Sequence, residues 1–504
     1  MISRDEAKKL ANSYQVIPIV ESVFSGTETP LSIFEKLGAS MKGSFLLESA
    51  EQGVWSRYSF IGVSSVGFLV SSDEGLKWLG SDTDTPNSMS QIDLSALSGF
   101  EALEQLQRNW RAAPVQGLPP LVSGMVGLMG WDTIHQIESI AKPKPKEFPT
   151  PDLAMAVVRD MVIVDHLDSS LKLVSNIYID QSVDVESQYQ AALSRILAMK
   201  TGLLAKGETF LAEVDLNADP EFTRRTSDKE FMQVVEAAKK HVIAGDVFQV
   251  VVSQRFDVAT KASALDVYRM LRAINPSPYM YLLNFFDDHG DFAVVGSSPE
   301  ALVRVSSGKA VLHPIAGSRP RGTSAEADAA LATELSADEK EKAEHLMLVD
   351  LARNDLLKVC EPSSVAVTEF MTVERYSHIM HLVSTVEGIV RDGASAVEVV
   401  KATFPAGTLS GAPKPRALEI IEALEPVNRG LFGGVVGYFD FAGNADLAIA
   451  IRTAVIRDGH AHVQAGAGIV LDSVAETENQ ETLSKASAPL RAIHAANHML
   501  RFGR

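Results

Sequence analysis

Three charged residues near the C-terminus have a spacing that could build a binding site. In the run AETENQETLSKASAPLRAI, Glu478, Glu481 and Lys485 stand at positions i, i+3 and i+7. On a helix these positions fall within about 60° of one another, so two carboxylates and an ammonium share one face. Such a face could hold a divalent cation together with an anionic ligand. The alternative interpretation is a solvated helix face stabilised by a Glu–Lys pair.

The composition limits the classes of protein to consider. The chain has 504 residues, with 46 Lys and Arg against 64 Asp and Glu, a net charge of −18. This acidic balance disfavours nucleic acid and anionic membranes as partners, and an anionic substrate would need local positive charge or a bound cation. Cys360 is the single cysteine, so no disulfide framework is expected and a cytoplasmic location is predicted. No apolar run resembles a signal peptide or a membrane span.

Hydrophobic periodicity predicts a mixture of helices and strands. A helix is predicted over 227–244, opened by a capping box of Ser227 and Glu230 and ended by Gly245. Further helices are predicted at 336–357, about 413–424 and 477–493. Runs rich in β-branched residues predict strands at 246–258, 292–298, 310–317, 433–441, 447–456 and 462–470. Because strands and helices do not alternate strictly, the predicted fold class is α+β with large, mainly antiparallel sheets.

A polar stretch at 214–228 predicts a boundary between region 1–220 and region 221–504. Within the second region, the predicted helix 336–357 carries four polar side chains, Glu341, Glu344, His345 and Asp350. No His or Cys spacing here suits zinc, whereas an all-oxygen set of carboxylates suits Mg²⁺. Alone, this helix would be an ordinary amphipathic helix. If it packs beside Glu478 and Glu481, the carboxylates could form a metal site.

Two further segments could bind anions. In the strand LAIAIRTAVI (447–456), period-2 alternation predicts that Ala448, Ala450, Arg452 and Ala454 share one face, which leaves room for a carboxylate beside the guanidinium. The alternative is an Arg paired with an internal Asp or Glu. The segment FPAGTLSGAPKPRALEII (404–421) predicts a loop that leads into a helix. Free N–H groups at the helix start and the hydroxyls of Thr408 and Ser410 could bind an anion there, unless the segment is a plain loop–helix junction.

The motifs of the second region, in consistent order, resemble those of the chorismate-utilising enzymes. The matching segments are GDVFQVVVSQRF (245–256), GSSPE (296–300), HPIAGSRPRG (313–322), DEKEKAEHLMLVDLARND (338–355), HIMHLVSTVEG (378–388), TFPAGTLSGAPKPRA (403–417), GYFDF (437–441), AIAIRTAVI (448–456) and AGAGIVLDS (465–473). LLES (46–49), RYSFIG (57–62) and NPSPYMY (275–281) resemble the tryptophan-feedback elements of the anthranilate synthase large subunits within that family. The resemblance implies a sandwich of antiparallel sheets with helices on the outside.

The same resemblance implies a Mg²⁺-dependent lyase that converts chorismate and ammonia to anthranilate and pyruvate, through 2-amino-2-deoxyisochorismate, as the first step of tryptophan biosynthesis. Glu300 would be the general acid, within the catalytic set Glu300, His381, Gln249, Thr408 and Lys485. Substrate contacts are implied for Ser318, Tyr438, Arg452, Ala465, Gly466, Ala467 and Gly468. The implied metal ligands are Glu344, Glu478 and Glu481. The implied tryptophan effector site contains Leu47, Glu48, Ser49, Asn275, Pro276, Pro278, Tyr279 and Met280.

Two positions separate the branches of the family. Members that add water carry a Lys where this chain has Gln249, which cannot act as a base. Members that make 4-amino-4-deoxychorismate carry a nucleophilic Lys where this chain has Ala316. Both positions favour anthranilate, and the nearest alternative is an aminodeoxychorismate synthase. An alternative from another class is a catalytically silent tryptophan-binding regulator. Because Cys360 lacks a glutaminase context, ammonia is expected from a separate glutamine amidotransferase subunit.

Overall fold

A computed structural model gives the structure of the protein. It describes residues 2–49, 57–80, 86, 89, 92–115, 117–140, 144–207, 210–375 and 379–502. The helices of these ranges are α1 (Arg4–Leu10), α2 (Pro30–Leu37), α3 (Gly99–Asn109), α4 (Val185–Leu203), α5 (Asp228–Ile243), α6 (Ala264–Ile274), α7 (Ala325–Ala337), α8 (Glu339–Leu357), α9 (Ala396–Thr403), α10 (Lys414–Leu424) and α11 (Ala475–His498). None of these helices combines the length and apolar character that crossing a bilayer requires.

The strands of the described ranges are β1 (Val16–Phe24), β2 (Ser44–Glu48), β3 (Tyr58–Ser72), β4 (Gly75–Leu79), β5 (Gly124–Met129), β6 (Leu153–Asp165), β7 (Ser170–Tyr178), β8 (Ala212–Glu213), β9 (Thr223–Arg224), β10 (Gln249–Ala259), β11 (Tyr279–Asp287), β12 (Gly290–Ser298), β13 (Ala301–Ser306), β14 (Lys309–Leu312), β15 (Ile315–Pro320), β16 (Ala366–Arg375), β17 (Ile379–Ile389), β18 (Gly411–Ala412), β19 (Val435–Asp440), β20 (Ala445–Ile449), β21 (Thr453–Arg457), β22 (His460–Ile469) and β23 (Leu500–Arg501).

The long strands β3 and β6 pair with each other and belong to both halves of the sheet. From them, one arm runs through β2, β11, β12, β21 and β22 to β10. The other arm runs through β5, β19, β20, β13 and β14 to β17. Each of these ladders is antiparallel, which confirms the predicted mainly antiparallel architecture.

The hydrophobic cores show that the two arms face each other as a sandwich. One cluster joins the inner faces of both arms, with Phe45 and Leu283 from the first arm and Val126 and Val436 from the second. A second cluster packs α4, α6 and α11 against the outer face of the first arm. A third packs α3, α5, α8, α9 and α10 largely against the outer face of the second arm. The helices therefore lie on the outside, as expected for alternating apolar faces of antiparallel strands.

Strands from both predicted regions pair within this sheet, since β2 pairs with β11 and β5 pairs with β19. The division into functional regions 1–220 and 221–504 stays a prediction. The predicted helix 227–244 corresponds to α5, which has the Ser227–Glu230 capping box and ends before Gly245 at φ +79°. The sequence signals for a helix start and a helix stop were sufficient here.

Three predicted elements are each divided in two. The predicted helix 336–357 is really the end of α7 and the whole of α8, because Asp338 caps α8 by accepting from the N–H groups of Lys340 and Glu341. The predicted strand 310–317 is interrupted between β14 and β15. The predicted strand 447–456 is interrupted between β20 and β21, where Arg452 adopts a positive φ of 50°. Ala448 and Ala450 therefore pack in the inter-sheet core, whereas Ala454 packs under the helices, and the predicted common face is wrong.

Candidate active site

Glu300 lies between β12 and β13, where the backbone is fixed by neighbouring strands. Its carbonyl accepts from Ile449 N at 3.0 Å, and its N–H donates to Ser298 Oγ at 3.3 Å. Thr408 Oγ1 donates to the carboxyl Oε1 at 2.8 Å. Burial raises the pKa of Glu300 to about 7, although the Thr408 hydrogen bond and the charges of Lys485 and Arg452 act in the opposite direction. A carboxyl with this pKa can both hold and release a proton near neutral pH.

Arg452 occupies the break between β20 and β21. A positive φ costs a non-glycine residue about 1–2 kcal/mol, and tertiary contacts offset this cost. Among these contacts, Ser297 N donates to Arg452 O at 3.2 Å. Burial lowers the pKa of the guanidinium, and the Glu300 carboxylate opposes that effect. The guanidinium forms no hydrogen bond or ion pair with the described part of the chain, so its donors are available to an anionic ligand.

Lys485 connects α11 to β22. Its Nζ lies 2.6 Å from Glu481 Oε1 and donates to Gly466 O at 3.1 Å. The pair is half-exposed, so the helix-stabilising Glu–Lys interaction of the alternative interpretation is present. The ammonium also lowers the pKa of Glu300 electrostatically. Lys485 therefore forms a helix-stabilising ion pair with Glu481 and also lowers the pKa of the Glu300 carboxyl.

The carboxylates proposed as metal ligands come from α8 and α11. Burial raises the pKa of Glu344, and the negative charges of Glu341 and Glu481 add to this effect. Burial also raises the pKa of Glu478, again with a contribution from Glu481. Like charges from two helices thus influence one another, and carboxylate oxygens are the ligands that a hard cation such as Mg²⁺ prefers. However, the described residues contain no cluster of three His, Cys, Asp or Glu side chains arranged to hold an ion, so the metal ligands stay predictions.

His381 and Ser318 are brought together as register partners on β17 and β15. The Nδ1 atom of His381 lies 3.0 Å from Gly317 O, the geometry of an N–H donating to a carbonyl. Burial lowers the pKa of His381, and the nearby charge of Arg452 lowers it further. The imidazole is therefore neutral near neutral pH, with Nε2 as the proton-accepting nitrogen of this tautomer.

Gln249 begins β10 opposite the glycine-rich end of β22. Gly468 leaves space for the Gln249 side chain, because a Cβ at this glycine would lie 2.3 Å from Gln249 Nε2. The Gln249 Oε1 atom is buried and has no hydrogen-bond partner in the described structure. The side chains of Ala465 and Ala467, by contrast, pack in the helix-side cores. Gly466 and Gly468 thus allow β10 and the Gln249 side chain to approach β22 closely, and the side chains of the two alanines are turned toward the helices.

Tyr438 is a predicted substrate contact, but the structure does not place its side chain with those of Glu300, Arg452 and Lys485. Its ring packs in the inter-sheet core, 6.1 Å from the ring of Phe60. Burial raises the pKa of the Tyr438 hydroxyl, and the negative charge of Asp446 raises it further. Asp446 in turn accepts from Tyr279 Oη at 3.1 Å. Tyr438 therefore lies with the predicted effector residues, because alternation along β19 turns its side chain into the sandwich.

The predicted effector residues lie in and next to the paired strands β2 and β11, where Glu48 is the register partner of Met280. Glu48 is buried and accepts hydrogen bonds from Tyr268 and Arg272. The hydroxyl of Ser49 is buried without a partner in the described structure. Leu47 pairs with Tyr281 on the neighbouring strand, and Ser49 follows β2. Tyr279 begins β11, and Asn275, Pro276 and Pro278 lie in the segment that joins α6 to β11.

A small cleft adjoins Glu300 and Thr408. Its walls are largely apolar and include Leu302, Leu348 and Ile449. An apolar wall beside a partly protonated carboxyl can sustain acid–base chemistry away from bulk water.

Sequence patterns did not identify one buried ion pair that reaches this group. Arg429 and Glu425 lie four residues apart in the segment that follows α10, and their side chains are only 1% and 3% exposed. Arg429 donates to Leu409 O, next to Thr408, and to Val251 O on β10. The i, i+4 spacing was visible in the sequence, but this spacing normally indicates a surface pair.

With this geometry established, comparison with known proteins identifies the family. The family model of chorismate binding enzymes matches residues 45–491, and the chain belongs to this family, in its anthranilate synthase component 1 branch. It is 47% identical to anthranilate synthase component 1 of Arthrobacter globiformis, over 98% of this chain and 93% of that protein. It is 46% identical to anthranilate synthase component 1 of Mycolicibacterium smegmatis, over 98% of this chain and 94% of the relative.

Solved structures agree with this assignment. The crystal structure of anthranilate synthase component I from Streptococcus pneumoniae matches with a TM-score of 0.74 and 33% identity, covering 93% of this chain and 99% of that one. The menaquinone-specific isochorismate synthase of Escherichia coli matches with a TM-score of 0.64 and 17% identity, covering 97% and 98% of the two chains. The second match supports the fold alone.

Proposed function

We propose that this chain is the large subunit of an anthranilate synthase and acts in tryptophan biosynthesis. It would convert chorismate and ammonia to anthranilate, pyruvate and water. The Glu300 carboxyl carries this assignment, because it has a pKa of about 7 and lies in the electrostatic field of two cations, Arg452 and Lys485. Chorismate is a dianion, so a chain of net charge −18 needs such local cations to bind it.

In the first half-reaction, Glu300 would donate its proton to the C4 hydroxyl as that group leaves as water. Ammonia would form the new bond at C2 and lose a proton, which gives 2-amino-2-deoxyisochorismate. The Thr408 hydroxyl would stabilise the carboxylate that Glu300 becomes, since it already donates at 2.8 Å. Gln249 Oε1, a buried acceptor without a described partner, would accept a hydrogen bond from the incoming ammonia.

In the second half-reaction, the enolpyruvyl group would leave as pyruvate while the ring loses a proton and becomes aromatic. The neutral His381 would accept this proton through Nε2 and return it to the methylene carbon of the departing enolpyruvate, which becomes the methyl group of pyruvate. The hydrogen bond from Nδ1 to Gly317 O would hold the ring in orientation. Arg452 would hold the enolpyruvyl carboxylate, because its guanidinium has no described ion partner. Ser318, the register partner of His381, would add a hydroxyl contact.

Glu344, Glu478 and Glu481 would hold Mg²⁺ beside the ring carboxylate. The elevated pKa values of Glu344 and Glu478 support this set, because each arises in part from the neighbouring Glu481 charge, which a cation would neutralise. Bound Mg²⁺ would supply charge neutralisation and electron withdrawal at the ring carboxylate. Lys485 would interact with the bound anion from its place between Glu481 and Gly466.

Ammonia would come from a separate glutamine amidotransferase subunit. Cys360 is buried, and burial raises the pKa of its thiol, which makes it a poor nucleophile. The relatives that carry the name component 1 also point to a second component. A cytoplasmic location, where such biosynthetic subunits meet, is part of the proposal.

Tryptophan would bind at the effector residues and inhibit the enzyme. A physical connection exists, because Ser297 receives a hydrogen bond from Asn275 Nδ2 at 2.9 Å, and the Ser297 N–H donates to Arg452 O at 3.2 Å. The next residue, Ser298, accepts from Glu300 N. Displacement of the segment 275–280 by tryptophan would therefore shift the backbone that carries Arg452 and Glu300, which couples the two sites.

A fluorescence assay tests the proposed function. The purified chain is given chorismate, Mg²⁺ and ammonium, and the formation of blue-fluorescent anthranilate is followed. We expect activity with ammonium, no activity with glutamine alone, and inhibition by tryptophan. Formation of 4-amino-4-deoxychorismate would favour the aminodeoxychorismate synthase alternative. Binding of tryptophan without any consumption of chorismate would favour the silent regulator.

A further inference from the structure

The side chain of Arg429 is held on all sides within the protein. Its Nε and Nη2 donate to the carboxylate of Glu425 at 2.9 and 2.6 Å. The guanidinium carbon lies 4.2 Å from the centre of the Trp131 ring. Nη1 donates to Leu409 O at 2.7 Å, and Nη2 also donates to Val251 O at 2.9 Å. One planar group therefore ties two backbone segments together with fixed geometry.

The first of these segments is the loop 404–413, which carries Thr408. Lys414 follows this loop, and its Nζ connects the two ends of the loop by donating to Thr403 O as well as to Asp355. Its middle is held by Arg429 through the carbonyl of Leu409, the residue that directly follows Thr408. The position of the Thr408 hydroxyl relative to Glu300 thus depends on this anchor.

The second segment is β10, which begins with Gln249. Arg429 holds the carbonyl of Val251, two residues further along. Its partner Glu425 accepts from both the N–H and the hydroxyl of Ser253, at 2.7 and 2.8 Å. The ion pair therefore contacts β10 at Val251 and Ser253, close to Gln249.

We propose that Arg429 is a positioning residue that sets the separation between the proton-donating side of the site, Thr408 and Glu300, and the ammonia-accepting side, Gln249. This inference rests on the proposed function for its chemical meaning. Arg429 does not itself touch the substrate. It acts through Leu409 and Val251, whose carbonyls it holds at a fixed spacing.

The competing explanation is that Arg429 and Glu425 only stabilise the fold. A buried ion pair is weak evidence for stability, and removal of one partner leaves the other charge uncompensated. The variant must therefore keep the charge. Arg429→Lys retains a cation for Glu425, but one ammonium cannot reproduce the planar fork that reaches both carbonyls. The backbone hydrogen bond from Val251 N to Ser410 O keeps the loop paired with β10.

A matched control exists elsewhere in the sheet. Arg457 is also buried, pairs with Asp287 at 2.6 Å, donates to Pro149 O at 2.7 Å and lies 4.8 Å from the ring centre of Phe292. It makes no described contact with the loop 404–413. Arg457→Lys should therefore reproduce any general loss of stability without any effect on Thr408.

The experiment compares wild type, Arg429→Lys, Arg457→Lys, Thr408→Val and the double variant Arg429→Lys/Thr408→Val. The rate of ammonia-dependent turnover is measured across pH at a constant concentration of free ammonia. The protonated-carboxyl infrared band that Glu300→Gln removes is titrated in parallel, so protonation of Glu300 is followed without catalysis. The groups that set this titration are Thr408, Lys485 and Arg452.

We expect Arg429→Lys to lower kcat about 10- to 100-fold with a smaller change in KM, because the acid and the nucleophile are no longer aligned. The infrared titration should move to higher pH, since the Thr408 hydrogen bond that lowers the pKa of Glu300 is weakened. Thr408→Val should cause the same displacement, and the double variant should add little to it. Arg457→Lys should leave the titration unchanged.

Additive effects in the double variant, or equal displacement in Arg457→Lys, would overturn the inference. An unchanged titration in Arg429→Lys would do the same and would leave a purely structural role. If the proposed function is wrong, wild type makes no anthranilate. The infrared comparison of the variants still reports in that case whether Arg429 positions Thr408.

Discussion

Replacement of Glu300 by Gln should stabilise the protein in alkaline solution while abolishing most of its activity. The amide keeps the shape of the carboxyl and can still accept from Thr408. The substitution removes, however, an acidic group whose buried environment opposes its ionisation. The pKa of Glu300 rises from 4.5 to about 7 in the folded chain because of burial.

The sign and size of the effect follow from proton linkage. Between pH 4.5 and about pH 7 the folded state binds more protons at Glu300 than the unfolded state, so stability falls as pH rises through this window. At about 1.4 kcal/mol per pH unit, wild type should lose about 2.5 kcal/mol relative to Glu300→Gln between about pH 5 and about pH 8.5. An unfolding entropy of about 2 cal/mol/K per residue converts this to about 2–3 °C.

The assay is thermal melting of both proteins at these two pH values, with Glu419→Gln as a control. Glu419 is exposed on α10 and pairs with Arg416, so this variant controls for the replacement of one surface carboxylate by an amide. The Glu300→Gln variant should melt higher than wild type at the alkaline pH and nearly equally at the acidic pH. A constant difference at both pH values, or a lower melting temperature in alkali, would refute the elevated pKa and with it the role of Glu300 as a proton donor at neutral pH.

Other predictions follow from the remaining contacts. Glu481→Gln should weaken Mn²⁺ binding, measured by electron paramagnetic resonance, and raise the Mg²⁺ concentration needed for activity; unaltered affinity would remove Glu481 from the metal set. Ser49→Ala should raise the tryptophan concentration required for inhibition with little change in kcat, and unchanged inhibition would locate the effector elsewhere. Ser297→Ala, which removes the hydroxyl that Asn275 contacts, should weaken inhibition more than it weakens tryptophan binding, measured by calorimetry. Equal losses of binding and inhibition would exclude Ser297 from the coupling.

The sequence was sufficient where local chemistry determines structure. The capping box of Ser227 and Glu230 predicted the start of α5, and the positive φ of Gly245 accounts for its end. The shared face of Glu481 and Lys485 was predictable from helical spacing, and the two side chains do form an ion pair. These features depend on residues within one or two turns of each other.

The sequence was insufficient where distant segments decide the conformation. LAIAIRTAVI has uninterrupted β propensity, yet the strand breaks because Gly434 O receives Ala450 N and Ser297 N donates to Arg452 O. Gly434 directly precedes β19 and Ser297 lies in β12, so no pattern within this segment could reveal the two contacts. The break separates Arg452 from the strand face predicted for it.

Tyr438 and Arg429 illustrate the same limit. Alternation along β19 predicts that Tyr438 faces one side, but only the packing of the two arms decides that this side is the inter-sheet core beside Phe60. Arg429 and Glu425 look like a surface pair until Trp131, from a remote part of the chain, covers the guanidinium. The metal, substrate and effector roles of individual residues stay predictions.

The fate of labelled ammonia tests the central claim most directly. The chain is incubated with chorismate, Mg²⁺ and ¹⁵N-ammonium, and the products are identified by mass spectrometry and NMR. The account predicts ¹⁵N-anthranilate, with the label on the ring carbon adjacent to the carboxyl-bearing carbon, together with an equal amount of pyruvate. An unlabelled isochorismate, or a product that carries ¹⁵N at the position of the former C4 hydroxyl, would contradict it.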